Sequence, residues 1–237
     1  MSIKAILFDL DGTLLPMDFD TFIKAYLGGL CDTLAPKGYE PRAVAAALWK
    51  STDAMIKNDG SKSNEDVFWS SFCAILGDGV KNEEPLLEIF YKTDFQKVQQ
   101  VCGYTPKSRE LIDRLHGMGV KIALATNPLF PAVATDSRIR WAGLHPSDFE
   151  LVTTYENFSF CKPNPDYYLE VARRIGVKPQ ECLMVGNDVG DDMVAEGVGM
   201  KVFLLTDCLI NKDGVDISVY PQGSFDALNA YIDEVVL

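Results

Sequence analysis

Residues 3–10 read Ile-Lys-Ala-Ile-Leu-Phe-Asp-Leu, a short and nearly all-apolar run with an aspartate near its end, followed at once by Asp11-Gly12-Thr13. A run that is apolar at successive positions buries both faces, as strands of parallel sheets do. Asp11-Gly12 is a turn signal that ends it. Runs of the same character recur at Val120–Ala125 and Cys182–Val185, and further strand candidates lie at Phe149–Thr153 and Lys201–Leu205. The first two of these stop at polar or glycine-bearing loops, Thr126-Asn127-Pro128 and Gly186-Asn187-Asp188. Helical patterns at Ser108–Met118, Pro165–Ile175 and Gly190–Val198 separate the runs. This alternation predicts an α/β fold: a doubly wound, mainly parallel, Rossmann-like sheet with helices on both faces.

Between Leu15 and Tyr104 the character changes. Phe19–Leu34, Pro41–Asn58, Asn64–Leu76 and Glu83–Phe95 all read as helices, with apolar residues at three- and four-residue spacing and no strand run among them. The expectation is a small helical bundle, residues 17–103, inserted after the first strand of a core formed by 1–16 and 104–237. Trp49, Trp69 and the aromatics around them read most simply as the apolar interior of that bundle, with a minority open to lining a substrate pocket.

Charge narrows the partners. Lys and Arg total 22 against 34 Asp and Glu, a formal net charge of −12. So acidic a surface repels nucleic-acid backbones and anionic lipid. It leaves room for a small phosphorylated metabolite, because a local lysine and a metal reverse the field at one site. The six cysteines show no paired spacing, which argues against zinc and redox centres and for reduced thiols. No apolar stretch reaches the roughly 20 residues that cross a bilayer, and the first residues do not read as a signal peptide. A cytoplasmic protein is expected.

In a doubly wound sheet, sites lie beyond the carboxyl ends of the strands. After the first run stand Asp9, Asp11 and Thr13; after the second, Thr126 and Asn127; after the third, Asn187, Asp188, Asp191 and Asp192. Lys162 precedes the Pro165 helix. So many carboxylates at one edge repel unless a cation joins them, and an all-oxygen donor set suits magnesium. The two histidines, His116 and His145, fall elsewhere, which disfavours histidine-based phosphoryl transfer.

These residues carry a resemblance. Phe8-Asp9-Leu10-Asp11-Gly12-Thr13-Leu14 resembles the first motif of the haloacid dehalogenase superfamily, in its phosphatase branch. The resemblance implies Asp9 as nucleophile and Asp11 as acid/base. Thr126 resembles the phosphate-binding residue of the second motif, with Asn127 beside it, and Lys162 the lysine of the third. Val185–Met193 resembles the acidic fourth motif, and the helical insert stands where the family places its cap. The fourth motif departs from the usual Gly-Asp opening by reading Gly186-Asn187-Asp188. Either Asp188 and Asp192 form the acidic pair with Asn187 as a spectator, or Asn187 takes the acid position and Asp188 supports it. A carboxylate binds magnesium better than an amide, so Asp188 is favoured as the ligand with Asp9 and Asp11; Asp192 and Asn187 are supporting residues. The implied activity is magnesium-dependent hydrolysis of a phosphomonoester. The alternatives are a 2-haloacid dehalogenase, a phosphonatase, a phosphoryl mutase, or a non-catalytic binding module. Displacing a halide needs neither a metal nor a proton donor, so Asp11 and Asp188 point towards phosphate.

Overall fold

Six parallel strands pair into one sheet in the computed structural model, which describes residues 2–236. They are β1 (Ala5–Phe8), β2 (Lys121–Leu124), β3 (Leu151–Val152), β4 (Cys182–Gly186), β5 (Lys201–Leu205) and β6 (Gln222–Gly223). Their order is β3-β2-β1-β4-β5-β6. Every neighbouring pair is parallel, with Ala5 opposite both Lys121 and Cys182. β1 is therefore central, and its four residues are completely buried, as its unbroken apolar sequence requires.

Side chains alternate across the sheet with the two-residue period of a strand. Ile6, Phe8, Leu124 and Val185 enter one apolar cluster, and Leu7, Ala123, Met184 and Leu204 enter the other. The first cluster is closed by α5 (Pro106–Met118), α8 (Phe225–Val236) and the inserted helices, the second by α7 (Pro165–Arg174). Between β1 and α5 lie α1 (Phe19–Leu34), α2 (Pro41–Ile56), α3 (Asn64–Leu76) and α4 (Glu84–Lys92). Polar side chains start most of these helices: Asp18 accepts from Thr21 N, Glu40 from Ala43 N, and Ser63 from Asp66 N. The two chain crossings into the insert run side by side, with Met17 bridged to Cys102 and Gly103 N donating to Pro16 O at 2.6 Å.

Several elements depart from the sequence reading. The Gly190–Val198 stretch is not an α-helix: the Asp188 carboxylate first ties down Gly190 N and Asp191 N, and only a 3-10 turn at Met193–Val198 follows. The last predicted helix of the insert shortens to Glu84–Lys92 with 3-10 turns on either side. α6 (Ala132–Trp141), α8 and the two-residue β6 are additions. Among the described residues no helix is long and apolar enough to cross a membrane.

Candidate active site

The strand order reverses direction at β1, whose neighbours β2 and β4 connect onwards to opposite edges of the sheet. A crevice opens beyond the carboxyl ends of strands at such a point. Asp9 stands there, its N–H extending the ladder to Val185 O at 2.9 Å while Ala125 N reaches Phe8 O at 2.7 Å. The chain then folds back on itself, with Thr13 N and Leu15 N both donating to Leu10 O. Gly12 sits at φ +86°, and a Cβ there would lie 2.3 Å from Asn187 Nδ2. Both the left-handed backbone and the close approach demand glycine. Asn187 fills the resulting niche: its Oδ1 accepts from Thr13 Oγ1 at 2.8 Å and its Nδ2 donates to Cys208 O at 2.7 Å. The amide thus braces the first turn against the loops after β4 and β5.

Lys162, almost wholly buried, is delivered by the loop before α7. Its Nζ donates to Asp9 Oδ1 at 2.9 Å and to Asp192 Oδ1 at 2.6 Å. Burial opposes charge on this lysine, but the Asp192 and Asp9 carboxylates outweigh it and hold the ammonium well above its ordinary pKa. Asp192 in turn accepts from Asp188 N at 3.0 Å, and its carboxyl is raised by burial against the pull of Lys162. Gly186 makes room for it, since a Cβ there would lie 2.0 Å from Asp192 Oδ2. Asn127 fastens the same loop, accepting from Lys162 N at 3.2 Å and donating to Asp191 Oδ2 at 3.2 Å. The carbonyl of Thr126 is held by Thr153 Oγ1 and by Tyr167 OH.

Asp11 has a partner that sequence reasoning missed. Arg138, fully buried on α6, donates through Nη1 to Asp11 Oδ2. Its Nη2 reaches Thr135 Oγ1, its Nε reaches Ala134 O, and its guanidinium lies 4.3 Å from the centre of the Phe130 ring. Asp11 Oδ1 is buried with no hydrogen-bond partner. Burial lifts the Asp11 carboxyl to about 6, with Arg138 pulling down and Asp9 pushing up. The sequence carries no signal for Arg138, because residues 132–141 show no apolar stripe to mark a helix.

Asp9, Asp11, Thr126, Asn127, Lys162, Asn187, Asp188 and Asp192 all line one cavity of about 480 Å³, joined by Asp191. Every residue singled out by its place after a strand is thereby brought together, apart from Thr13, which works behind Asn187. The roof contains Trp49 and Ile56 of α2, so Trp49 is corrected from bundle interior to cavity wall; Trp69 is buried as expected. A second cavity of about 520 Å³ lies beyond Leu129, walled by aromatics and by Glu65, Glu84, Glu88 and Glu156. It contains none of the expected site residues.

The donor set of the first cavity consists of hard carboxylate oxygens, the kind magnesium takes. The unpartnered Asp11 Oδ1 and the carboxylate of Asp188 on the cavity wall fit that chemistry. They do not form a ready cluster: among the described residues no group of three or more His, Cys, Asp and Glu side chains is arranged around one point. The spacing of Asp9, Asp11 and Asp188 has a physical reason. Asp9 and Asp11 each lean on an internal cation, Lys162 and Arg138, and Asp188 Oδ1 caps its own loop.

Residues 3–199 match the family model of haloacid dehalogenase-like hydrolases. The chain belongs to that family. Among curated relatives, the Bacillus subtilis protein YhcW is 34% identical over 124 residues, covering 52% of this chain and 54% of that one. The chain thus matches about half the length of YhcW. The glyceraldehyde 3-phosphate phosphatase of Methanopyrus kandleri is 27% identical over 196 residues, covering 81% of this chain and 78% of that one. Among solved structures, a 2-haloacid dehalogenase from Pseudomonas syringae superposes with a TM-score of 0.65 at 20% identity, over 98% of this chain and 99% of that one. That likeness concerns the fold.

Proposed function

We propose that the chain is a magnesium-dependent phosphatase that hydrolyses a small phosphomonoester through an aspartyl-phosphate on Asp9. The observation that carries this reading is the unlike treatment of two aspartates at one strand end. Asp9 faces an ammonium 2.9 Å away, while the Asp11 carboxyl, with its Oδ1 buried and unpartnered, is lifted to about 6. A pair of carboxyl groups in such different surroundings divides into a nucleophile and a proton carrier.

In the first step a carboxylate oxygen of Asp9 bonds to phosphorus as the ester P–O bond breaks. The proton on the Asp11 carboxyl passes to the departing alcohol oxygen. In the second, Asp11 takes a proton from water, whose oxygen bonds to phosphorus and releases Asp9 and inorganic phosphate. Lys162 neutralises Asp9 during the approach, and Thr126 donates to a phosphoryl oxygen. Asp192, Asn127 and Asn187 hold these groups in place. Magnesium, when bound by Asp9, Asp11 and Asp188, supplies the charge that lets a carboxylate approach a phosphate. The helices of residues 17–103 serve as a cap that restricts entry to small substrates.

The dehalogenase alternative is not favoured by the geometry. A departing halide needs a receptor with positive charge to spare, and the guanidinium charge of Arg138 is already paired with the Asp11 carboxylate.

The test is release of phosphate by wild type, Asp9→Asn and Asp11→Asn, with magnesium and with chelator. Asp9→Asn is expected to lose at least about a thousandfold in kcat, and Asp11→Asn about a hundred- to ten-thousandfold. Full activity of Asp9→Asn, or turnover undiminished by chelator, would overturn the mechanism.

A further inference from the structure

The roof of the catalytic cavity is made by a helix with two apolar faces. On α2, Val44, Ala47, Leu48, Ser51 and Met55 are buried within the insert, as an amphipathic helix requires. Trp49, Thr52 and Ile56, spaced three and four residues apart, form a separate stripe turned to the cavity. Trp49 is 51% exposed, and Phe19 and Ile56, which line the same cavity, are also exposed. A large exposed indole on a catalytic cavity is unfavourable in water unless something covers it. The other side of the cavity continues the apolar surface through Phe130, Val189 and Ile210.

Charge in the same space is one-sided. Lys162 is spent on Asp9 and Asp192, which leaves Lys212 as the only other cation on the wall among the described residues, against Asp188, Asp191 and Asp213. A second phosphate or a carboxylate on the substrate would meet more repulsion than attraction there. Among the described residues, the inserted helices contribute to the wall one hydroxyl, Thr52, and one indole N–H, that of Trp49. A polyhydroxylated alcohol would therefore enter with most of its hydroxyls unpaired against this roof, and each buried unpaired hydroxyl is costly.

We propose that the alcohol part of the substrate is an uncharged aryl-bearing group that packs on Trp49, with the ester phosphate as its only anion. This rests on the phosphatase reading and adds the substrate class. Phosphorus at Asp9 and the aryl group under Trp49 share one cavity of about 480 Å³, within the range that takes a small organic molecule. Trp49 is then a specificity-determining residue and takes no part in the bond-making steps.

The test compares kcat/KM for 2-phenylethyl phosphate and glycerol phosphate, two alkyl esters of similar intrinsic reactivity, with magnesium present. Wild type is expected to prefer 2-phenylethyl phosphate by about tenfold or more. Trp49→Ala is expected to shrink that preference about tenfold, and Trp49→Phe to retain most of it. Preference for glycerol phosphate, or a ratio unmoved by Trp49→Ala, would overturn the substrate class while leaving the phosphatase reading standing. Release of phosphate from neither ester, nor from methyl phosphate, would overturn the phosphatase reading and this inference with it.

Discussion

Arg138 and Asp11 form an ion pair, and Asp11 lines the same cavity as Asp9. Arg138 is fully buried and Asp11 keeps only 12% of its side chain exposed, and each is the other's charge partner. Removing one partner of such a pair leaves an uncompensated charge in a low-dielectric interior, at a cost of about 3 kcal/mol or more. Arg138→Met is accordingly expected to lower stability by about 3 kcal/mol in urea denaturation. Arg138→Met combined with Asp11→Asn should fall well short of the sum of the single losses, because the second change removes the charge that the first stranded. Additive losses would mean that the two side chains are not coupled. Asp9, Asp11, Thr126 and Lys162 were legible in the sequence because each follows or precedes a recognisable element, so topology alone assembles them. Arg138 was not, since its role arises only when α6 packs against the turn after β1. Asn187 was half legible: its place after β4 was read, but the niche left by Gly12 that explains an amide there exists only in three dimensions.

At the scale of elements, the apolar runs located five of the six strands, because burial on both faces leaves a compositional trace that needs no partner to be seen. β6 has two residues and no such trace. α6 escaped because its buried side includes Thr135, Ser137 and Arg138, so no apolar stripe marks it. The Gly190–Val198 segment looked helical by pattern, but the Asp188 side chain takes the backbone donors that would open a helix. α7 was read to within one residue, and its surface carries a measurable electrostatic feature. Glu170 accepts from Arg173 at 2.8 Å and from Arg174 at 2.7 Å, and the Arg173 hydrogen bond first, then Arg174, lowers its carboxyl from 4.5 to about 2. A depressed pKa in the folded state contributes stability that is present above the unfolded value and lost as pH falls. Solvent screening at this surface position limits the contribution to about 0.5 kcal/mol. Glu170→Gln is therefore expected to be less stable than wild type by about 0.5 kcal/mol at pH 7. The gap should close as pH falls from about 4.5 towards about 2. A gap that persists at low pH would assign the loss to packing instead of charge.

For the whole molecule, the question is how an insert of four helices is held over a site built on the sheet. One attachment is the paired crossing at Pro16–Met17 and Cys102–Gly103. Gln96 adds hydrogen bonds with Ser137 and Trp141 of α6, and a further attachment lies at the start of α3, where Asn64 is completely buried. Its backbone N–H donates to Phe158 O at 2.8 Å, and its Nδ2 faces Pro128 O, Phe160 O and Cys161 Sγ. Its Oδ1 accepts from Asn58 Nδ2 at 2.8 Å. Pro128 and Cys161 immediately follow Asn127 and precede Lys162, so this one amide joins the roof to both loops that position the lysine. Replacing it leaves Asn58 Nδ2 and two carbonyls short of a partner, which costs about 1–3 kcal/mol. Asn64→Ala is expected to lose about 2 kcal/mol of stability and to be cleaved first in limited proteolysis near residues 58–64. Because α2 carries Trp49 and packs on α3, the same change should raise KM more than it lowers kcat for a substrate held by the roof. A fall in kcat alone, with KM unmoved, would instead place the effect of Asn64 on the Lys162 loop and leave the roof free of that tether.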